Sequence, residues 1–357
     1  MSETMQENEK AERLLKLKAW AQDLLIALEK AVGEDFQLVP ASDDASFRRY
    51  FRASAAGDEG MLTSRKYVFV DAPPTHENNQ AFLLIRDLLA LAGVRVPEIY
   101  ASDLESGYMM IENFGDQLCL ASLEKLEDID KRALIRRAMA VIAQMQFIAD
   151  EVVLPVYDRS LLGSEMNLFA EWFVGRQLKL KLTNEEIAEI ERIKGLLIES
   201  AREQSQVFVH RDFHSRNLMV LADGELGVID FQDAVFGPVT YDLVSLLKDC
   251  YYRFPREEVC NRVEEFRLML QREGRLPDID SDTFLKWFDL MGVQRHLKCA
   301  GIFSRLNIRD GKSRYLGDIP LVMEYIVETC AHYPELAAFG LWLERRIVPA
   351  LNDVFSK

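Results

Sequence analysis

The stretch 209–233, VHRDFHSRNLMVLADGELGVIDFQD, constrains this chain more than any other. Two short apolar runs, 218–221 and 226–229, flank an Asp223-Gly224 pair. Apolar runs joined by Asp-Gly read as a β-hairpin, because Gly supplies the left-handed backbone that tight hairpin turns need. His210, Asp212 and Asn217 precede the first run in the pattern H-x-D-x-x-x-x-N, and Asp230 ends the second. Such a hairpin is expected to bring Asn217 and Asp230 together, with Asp212 on the loop leading in.

An amide oxygen and a carboxylate are hard donors suited to a hard divalent cation. A carboxylate shortly before the Asn can accept the proton of an attacking hydroxyl. The pattern therefore fits phosphoryl transfer from ATP with Mg²⁺, with Asp212 as base and Asn217 and Asp230 as metal ligands. A plain surface hairpin would have to match four spaced polar positions by chance. A transition-metal cluster of His210, Asp212 and His214, at alternate positions on one face of a strand, leaves Asn217 and the IDFQD run without a role.

H-x-D-x-x-x-x-N followed by I-D-F-x-D and Y-D-L resembles the aminoglycoside phosphotransferase and choline kinase family, which shares the protein-kinase-like fold. The resemblance extends over most of the chain from about Pro40. Longer stretches, HRDFHSRNLMVL, GVIDFQDAVFGPVTYDLVSLLKDCY and QRHLKCAGIFSRLNIRDGKSRYL, are similar to bacterial anomeric kinases of N-acetylmuramate and N-acetylglucosamine in cell-wall recycling. The resemblance implies an α+β fold in two lobes. Residues 1–113 would form a small antiparallel-sheet lobe for ATP, and 114–357 a larger, mainly helical lobe for catalysis and the acceptor. It implies ATP and Mg²⁺ as cofactors, with the anomeric hydroxyl of a small amino sugar as acceptor and a 1-phosphate as product, in peptidoglycan recycling. Two other functions stay open: phosphorylation of an aminoglycoside or choline-like amine, and a nucleotide-binding pseudokinase that regulates a partner.

Length and charge agree with this outline. A chain of 357 residues is too long for one ordinary core. A net charge of −15 argues against nucleic acid or an anionic membrane as main partner. The five cysteines are scattered, with no C-x-x-C, as expected of free thiols in a reducing cytoplasm. No apolar run approaches the roughly eighteen residues of a membrane span, and the N-terminus lacks a signal-peptide core. No obligate protein partner is evident.

Periodicity predicts a helix over 11–32, strands over 36–39, 47–51, 67–70 and 108–111, and a helix over 78–92. Residues 1–10 are polar and expected to fray, and 94–99 to lead into the sheet. By resemblance, the loop between the first two strands covers the ATP phosphates. Here it reads ASDDAS, without glycine, so Ser46 and Arg48 are the expected contacts. The family's third-strand lysine is missing from VFVD; Arg65 and Lys66 are nearby substitutes, and Glu77 the candidate partner carboxylate. Glu112 and Phe114 fall where the resemblance places the adenine-binding hinge.

Further helices are expected over 130–150, 161–173 and 184–200, then to the end with breaks at Pro255, 274–277 and 311–320. Glu165, Asn167, Glu171 and Trp172 could line a sugar site, the Trp face stacking on a pyranose. Gln232 and Asp233 could meet the acceptor, and Asp242 is expected to accept hydrogen bonds from the catalytic-loop backbone. Arg295, His296, Lys298, Arg305, Arg309, Lys312 and Arg314 form a basic segment with Asp310 as its one acid. That composition suggests anion recognition, with Arg305 and Arg309 as first choices for a substrate carboxylate.

Overall fold

The computed structural model describes residues 3–29, 36–41, 47–54, 66–148 and 154–355. The expectations placed on Ser46 and Arg65 lie outside them. In chain order the elements begin with α1 (Glu3–Glu29), β1 (Gln37–Pro40), β2 (Arg49–Ser54), β3 (Tyr67–Asp71), α2 (Asn79–Leu91), β4 (Ile99–Asp103) and β5 (Tyr108–Glu112). Then come α3 (Cys119–Lys125), α4 (Asp128–Met145), α5 (Arg159–Leu168), a π-helical stretch (Phe169–Gln177) and α6 (Asn184–Glu203). Strands β6 (Gln206–Val209), β7 (Leu218–Val220), β8 (Leu226–Val228) and β9 (Val235–Pro238) follow. The rest is helical: α7 (Tyr241–Leu247), α8 (Arg256–Arg272), α9 (Ser281–Asp310), α10 (Ile319–His332), α11 (Ala337–Trp342) and α12 (Val348–Phe355).

The chain divides into two compact units. The first comprises residues 1–117 with 219–232, and the second 118–218 with 233–357. The first is built on an antiparallel sheet of order β1-β2-β3-β5-β4. Leu17, Ala21 and Leu25 of α1 pack with Phe36, Phe51, Phe69 and Met110, each large apolar side chain contributing about 1.5–3 kcal/mol by burial. α1 begins earlier than the apolar spacing suggested. Its first turns, ETMQENEK, are rich in glutamate, a good helix former. Residues 94–97 stay irregular, and β4 starts only at Ile99, with a bulge between Ile99 and Ala101.

The predicted hairpin is present as β7 paired with β8. Gly224 turns it at φ +85°, and Leu221 and Glu225 close the turn by a 2.9 Å backbone bond.

In the second unit, α9 runs for 30 residues and packs against α5, α6, α7, α8 and α10. Asp280 caps its start by accepting from Thr283 N, and Gly311 ends it in the left-handed conformation. The breaks at Pro255 and 274–277 fall between helices, as expected, whereas 311–320 holds a 3₁₀ helix (Ser313–Asp318) and the start of α10, with Pro320 in its first turn. The helix expected over 161–173 instead passes into the π-helical stretch, a widening that recurs at functional sites. Opposite it, a Cβ at Gly301 would lie 2.4 Å from the Leu168 carbonyl carbon, so this glycine lets α9 approach α5 closely.

Candidate active site

In the first unit, Arg48 lies just before β2 and is only 2% exposed. Its guanidinium pairs with Glu77 at 3.2 Å and stacks over Phe82 at 4.7 Å. Phe82 of α2 in turn stacks on Phe231, the residue after Asp230. Asp230 holds a left-handed φ of +64° and accepts from the Gln232 amide at 2.7 Å. A non-glycine residue in that region is strained, and such strain gathers at functional sites. One packed chain of contacts thus connects Arg48, Glu77, Phe82, Phe231 and Asp230.

Where the family's strand lysine was sought, β3 ends in Asp71. Its fully buried carboxylate is held by Arg13 Nε at 2.9 Å and Arg49 Nε at 3.0 Å. Lys66 is exposed and lies over the rings of Tyr67 and Tyr100. The Glu112 carboxylate is engaged by Arg95, and its N–H donates to Glu98 O. Phe114 packs closely on Gly227, under Arg95, and its N–H meets no acceptor among the described residues.

In the second unit, the loop 210–217 is held from below by carboxylates. Asp242, at the first turn of α7, accepts His210 N at 2.7 Å and Arg211 N at 3.1 Å, the role the sequence suggested. Arg211 sits at φ +74°, so these bonds offset a strained backbone. Asp249 accepts Ser215 N at 2.9 Å. Asn217 donates through its amide to Asp212 O at 3.0 Å, which fixes the amide's orientation. His210 is fully buried, and its Nδ1 accepts Asp212 N at 3.3 Å. That ring supports the loop from inside.

Asp212 opens onto a cavity of about 520 Å³, lined also by Glu165, Arg211, His214, Asp233, Arg295, Lys298 and Arg305. Glu165 ties the wall together. It pairs with Arg211 and with Lys298 at 3.2 Å, and accepts from Tyr157. Lys298 reaches Tyr241 Oη at 3.1 Å. Arg295, 3% exposed, makes no ion pair with a carboxylate among the described residues; neither does Arg305. Burial pushes the Asp212 carboxyl up, but Lys298, His214, Arg211 and Arg295 outweigh it and hold its pKa at about 2. Burial also keeps His214 below the usual imidazole range, against the pull of Asp249 and Asp212.

The sequence profile of the phosphotransferase enzyme family matches residues 37–279. This chain belongs to that family. An N-acetylmuramate/N-acetylglucosamine kinase of Pseudomonas putida is 42% identical over 332 residues, covering 92% of this chain and 95% of that protein. A kinase of the same name from Neisseria meningitidis is 37% identical, covering 91% and 93%. Among solved structures, a choline kinase from Streptococcus pneumoniae shares the fold at a TM-score of 0.58 and 13% identity, over 88% of this chain and 99% of that one. The kinase-like architecture expected from the sequence, a small antiparallel sheet followed by a mainly helical remainder, is the one observed.

Within this phosphotransferase, the structure gathers Asp212, Asp233 and Arg305 around one cavity and leaves other expected residues elsewhere. Trp172 lies outside the cavity wall, under Arg176 at 3.9 Å. Glu171 pairs with Arg176, and Asn167 accepts from Lys194. The helix widens at this point, so a spacing counted at 3.6 residues per turn points the wrong side chains inward. Arg309 is taken by its neighbour Asp310 at 2.7 Å on the exposed side of α9. Gln232 turns to Asp230 and is absent from the cavity wall. The buried face of α9, with Arg295 and Lys298, was visible in the sequence only as an excess of basic charge. Cys250 and Cys299, also in the wall, carried no sequence signal. Among the described residues, no group of three His, Cys, Asp or Glu converges as a metal site, and no helix is long and apolar enough to cross a membrane.

Proposed function

We propose that this phosphotransferase moves the γ-phosphoryl group of ATP to the anomeric hydroxyl of N-acetylmuramate or N-acetylglucosamine, in the cytoplasm, in peptidoglycan recycling. The observation that carries this reading is the cavity beside Asp212, whose wall holds Arg211, Arg295, Lys298 and Arg305 against Glu165, Asp212 and Asp233. A cationic aminoglycoside or choline-like amine would meet repulsion there, whereas an amino sugar bearing a lactyl carboxylate would find a partner. The relatives' names support the same choice.

Asp212 stays ionised across the working pH range and accepts a hydrogen bond from the acceptor hydroxyl. In a loose transition state that hydroxyl becomes strongly acidic only as its oxygen bonds to phosphorus, so a weakly basic carboxylate suffices to take the proton late. A hemiacetal hydroxyl is already more acidic than an ordinary alcohol, which eases that demand. His210 positions the loop. Asn217 and Asp230 supply the amide and carboxylate oxygens that suit Mg²⁺, which when bound neutralises phosphate charge. Arg48, oriented by Glu77, takes the part of the missing strand lysine toward the phosphates. Phe114 offers its backbone N–H to the adenine edge. Glu112 and Lys66 line the approach. We assign the nucleotide to residues 1–113, with Asp230 added from the hairpin, and the acceptor to 114–357. Arg305 reads the lactyl carboxylate.

ADP release measured over a panel of amino sugars, aminoglycosides and choline-like amines tests the acceptor class. Turnover confined to N-acetylated amino sugars is expected, and preference for an amine would overturn the reading.

A further inference from the structure

Cys250 and Cys299 come from distant parts of the chain, yet both sulfurs lie against one guanidinium. Arg295 Nη1 donates to Cys250 Sγ at 3.3 Å and reaches Cys299 Sγ at 3.7 Å. Cys250 follows α7, and Cys299 sits one turn beyond Arg295 on α9. They are 2% and 8% exposed, and both form part of the wall of the Asp212 cavity. Arg295 has no carboxylate partner among the described residues, and the acceptors it meets at closest range are the two sulfurs. A hydrogen bond from the Cys250 thiol, opposed by burial and aided by Arg295, holds the Cys299 thiol below the usual thiol range. The Cys250 thiol is pushed well up, first by that same bond and then by burial. By contrast, burial pushes Cys119 and Cys330 up to about 12. Phosphoryl transfer to a hydroxyl needs no thiol, so the pair has no part in the reaction proposed above.

We propose that Cys299 and Cys250 form a reactive thiol pair in the cavity wall. A hydroperoxide that enters the cavity oxidises Cys299, and Cys250 closes the product to a disulfide. The Cys299 thiolate attacks one peroxide oxygen; the S–O bond forms, the O–O bond breaks, and the departing hydroxide takes a proton to become water. Cys250, giving up its proton, then attacks the Cys299 sulfur; the S–S bond forms, and the S–O bond breaks with loss of a second water. The two thiols lose two electrons and the peroxide gains them. A soluble thiol reverses the bond by exchange. The disulfide carries no charge, so Arg295 loses its sulfur counter-charge. Cys250 is tethered to Asp249, which holds Ser215 of the 210–217 loop, so closure also pulls on the residues beside Asp212. The effect on activity rests on the cavity being the acceptor site; the thiol chemistry does not.

The test treats the full chain with hydrogen peroxide and follows intact mass, peptide mapping and ADP release together. Expected is a loss of two hydrogen atoms in mass, a linked Cys250–Cys299 peptide, and a fall in turnover of about 10²-fold from displaced reacting groups, recovered with dithiothreitol. Cys250→Ser should keep an added oxygen on Cys299 and form no link. Cys299→Ser, compared with its own untreated rate, should show neither mass change nor loss. Absence of the linked peptide in the wild-type chain, or the same inactivation in Cys299→Ser, would overturn the proposal. A disulfide that forms with turnover and acceptor KM unchanged would support the thiol pair and overturn the placement of the acceptor.

Discussion

Arg48 in the first unit and Arg295 in the second are both buried guanidinium groups, at 2% and 3% exposure. Arg48 is compensated on the spot, by Glu77 at 3.2 Å and the face of Phe82. Among the described residues Arg295 donates hydrogen bonds to sulfur alone, and it borders the same open cavity as Asp212. Taking an ion out of water costs several kcal/mol, and without a partner that cost stays uncompensated. A paired guanidinium is therefore held in one orientation, as Arg48 is by Glu77 and Phe82. An unpaired one keeps part of its field for whatever enters the cavity. The same residue type is matched by a carboxylate in one unit and has none at contact distance, among the described residues, in the other.

The largest effects should come from the groups proposed to hold the metal and take the proton. With Asp230 as a Mg²⁺ ligand, as proposed, Asp230→Ala is expected to abolish turnover without rescue by excess Mg²⁺. Asn217→Ala should be milder, as an amide carries no charge. Asp212→Asn should keep fold and ATP binding while losing turnover by about 10²-fold or more. Steady-state rates with calorimetry of nucleotide binding check all three. Normal turnover in Asp212→Asn would remove it from the acceptor.

The comparison itself breaks or holds on one pair of variants. Arg48→Met removes the guanidinium that faces Glu77 and should cost up to about 3–5 kcal/mol of stability, with a raised KM for ATP. Arg295→Met breaks no ion pair at contact distance among the described residues, although Asp212 loses one of the four groups that hold it ionised. It should be near neutral or stabilising in denaturant melts, yet raise the acceptor KM. Equal destabilisation of the two would mean that Arg295 has a structural partner too.

Arg305→Ala should raise KM for N-acetylmuramate by about tenfold to a hundredfold, the worth of a charged hydrogen bond. It should change KM for N-acetylglucosamine, which has no carboxylate, far less. Equal shifts for both sugars would show that Arg305 does not read the lactyl group.

These contrasts mark what could be read in the sequence. The hairpin was legible because its signal is local, an Asp-Gly turn between two apolar runs; Asp242 was placed by its motif, although the N–H groups it holds lie 31 and 32 residues away. Glu77 was legible as a candidate, but its partner was not, since β3 offers Asp71 and the basic group comes from the start of β2. The second stretch was harder. Arg295, Lys298, Arg305 and Arg309 look alike in sequence, and only the packing of α9 turns the first two inward and leaves Arg309 to Asp310. The π-helical widening after Leu168 moved Trp172 off the expected face. Glu165 was named for its acidity, whereas its two cationic partners lie 46 and 133 residues away. Contacts at that range leave no periodic signal.

A smaller effect concerns pH. With Asp212 held at about 2, its ionised form contributes stability above the ordinary carboxylate range, and this is lost only as pH falls through about 2. The ratio of wild-type to Asp212→Asn kcat/KM should therefore stay constant from about pH 5 to about pH 8. An acid limb within that window that vanishes in Asp212→Asn would show that the cavity's cations do not control this carboxylate.

The most direct measurement is the chemistry of the product. A phosphate on C1 is a glycosyl phosphate and hydrolyses in mild acid, whereas a 6-phosphate survives it. After incubation of the enzyme with Mg·ATP and N-acetylmuramate, the account predicts that the new phosphate is released by brief mild acid. An acid-stable product would contradict phosphorylation at the anomeric hydroxyl.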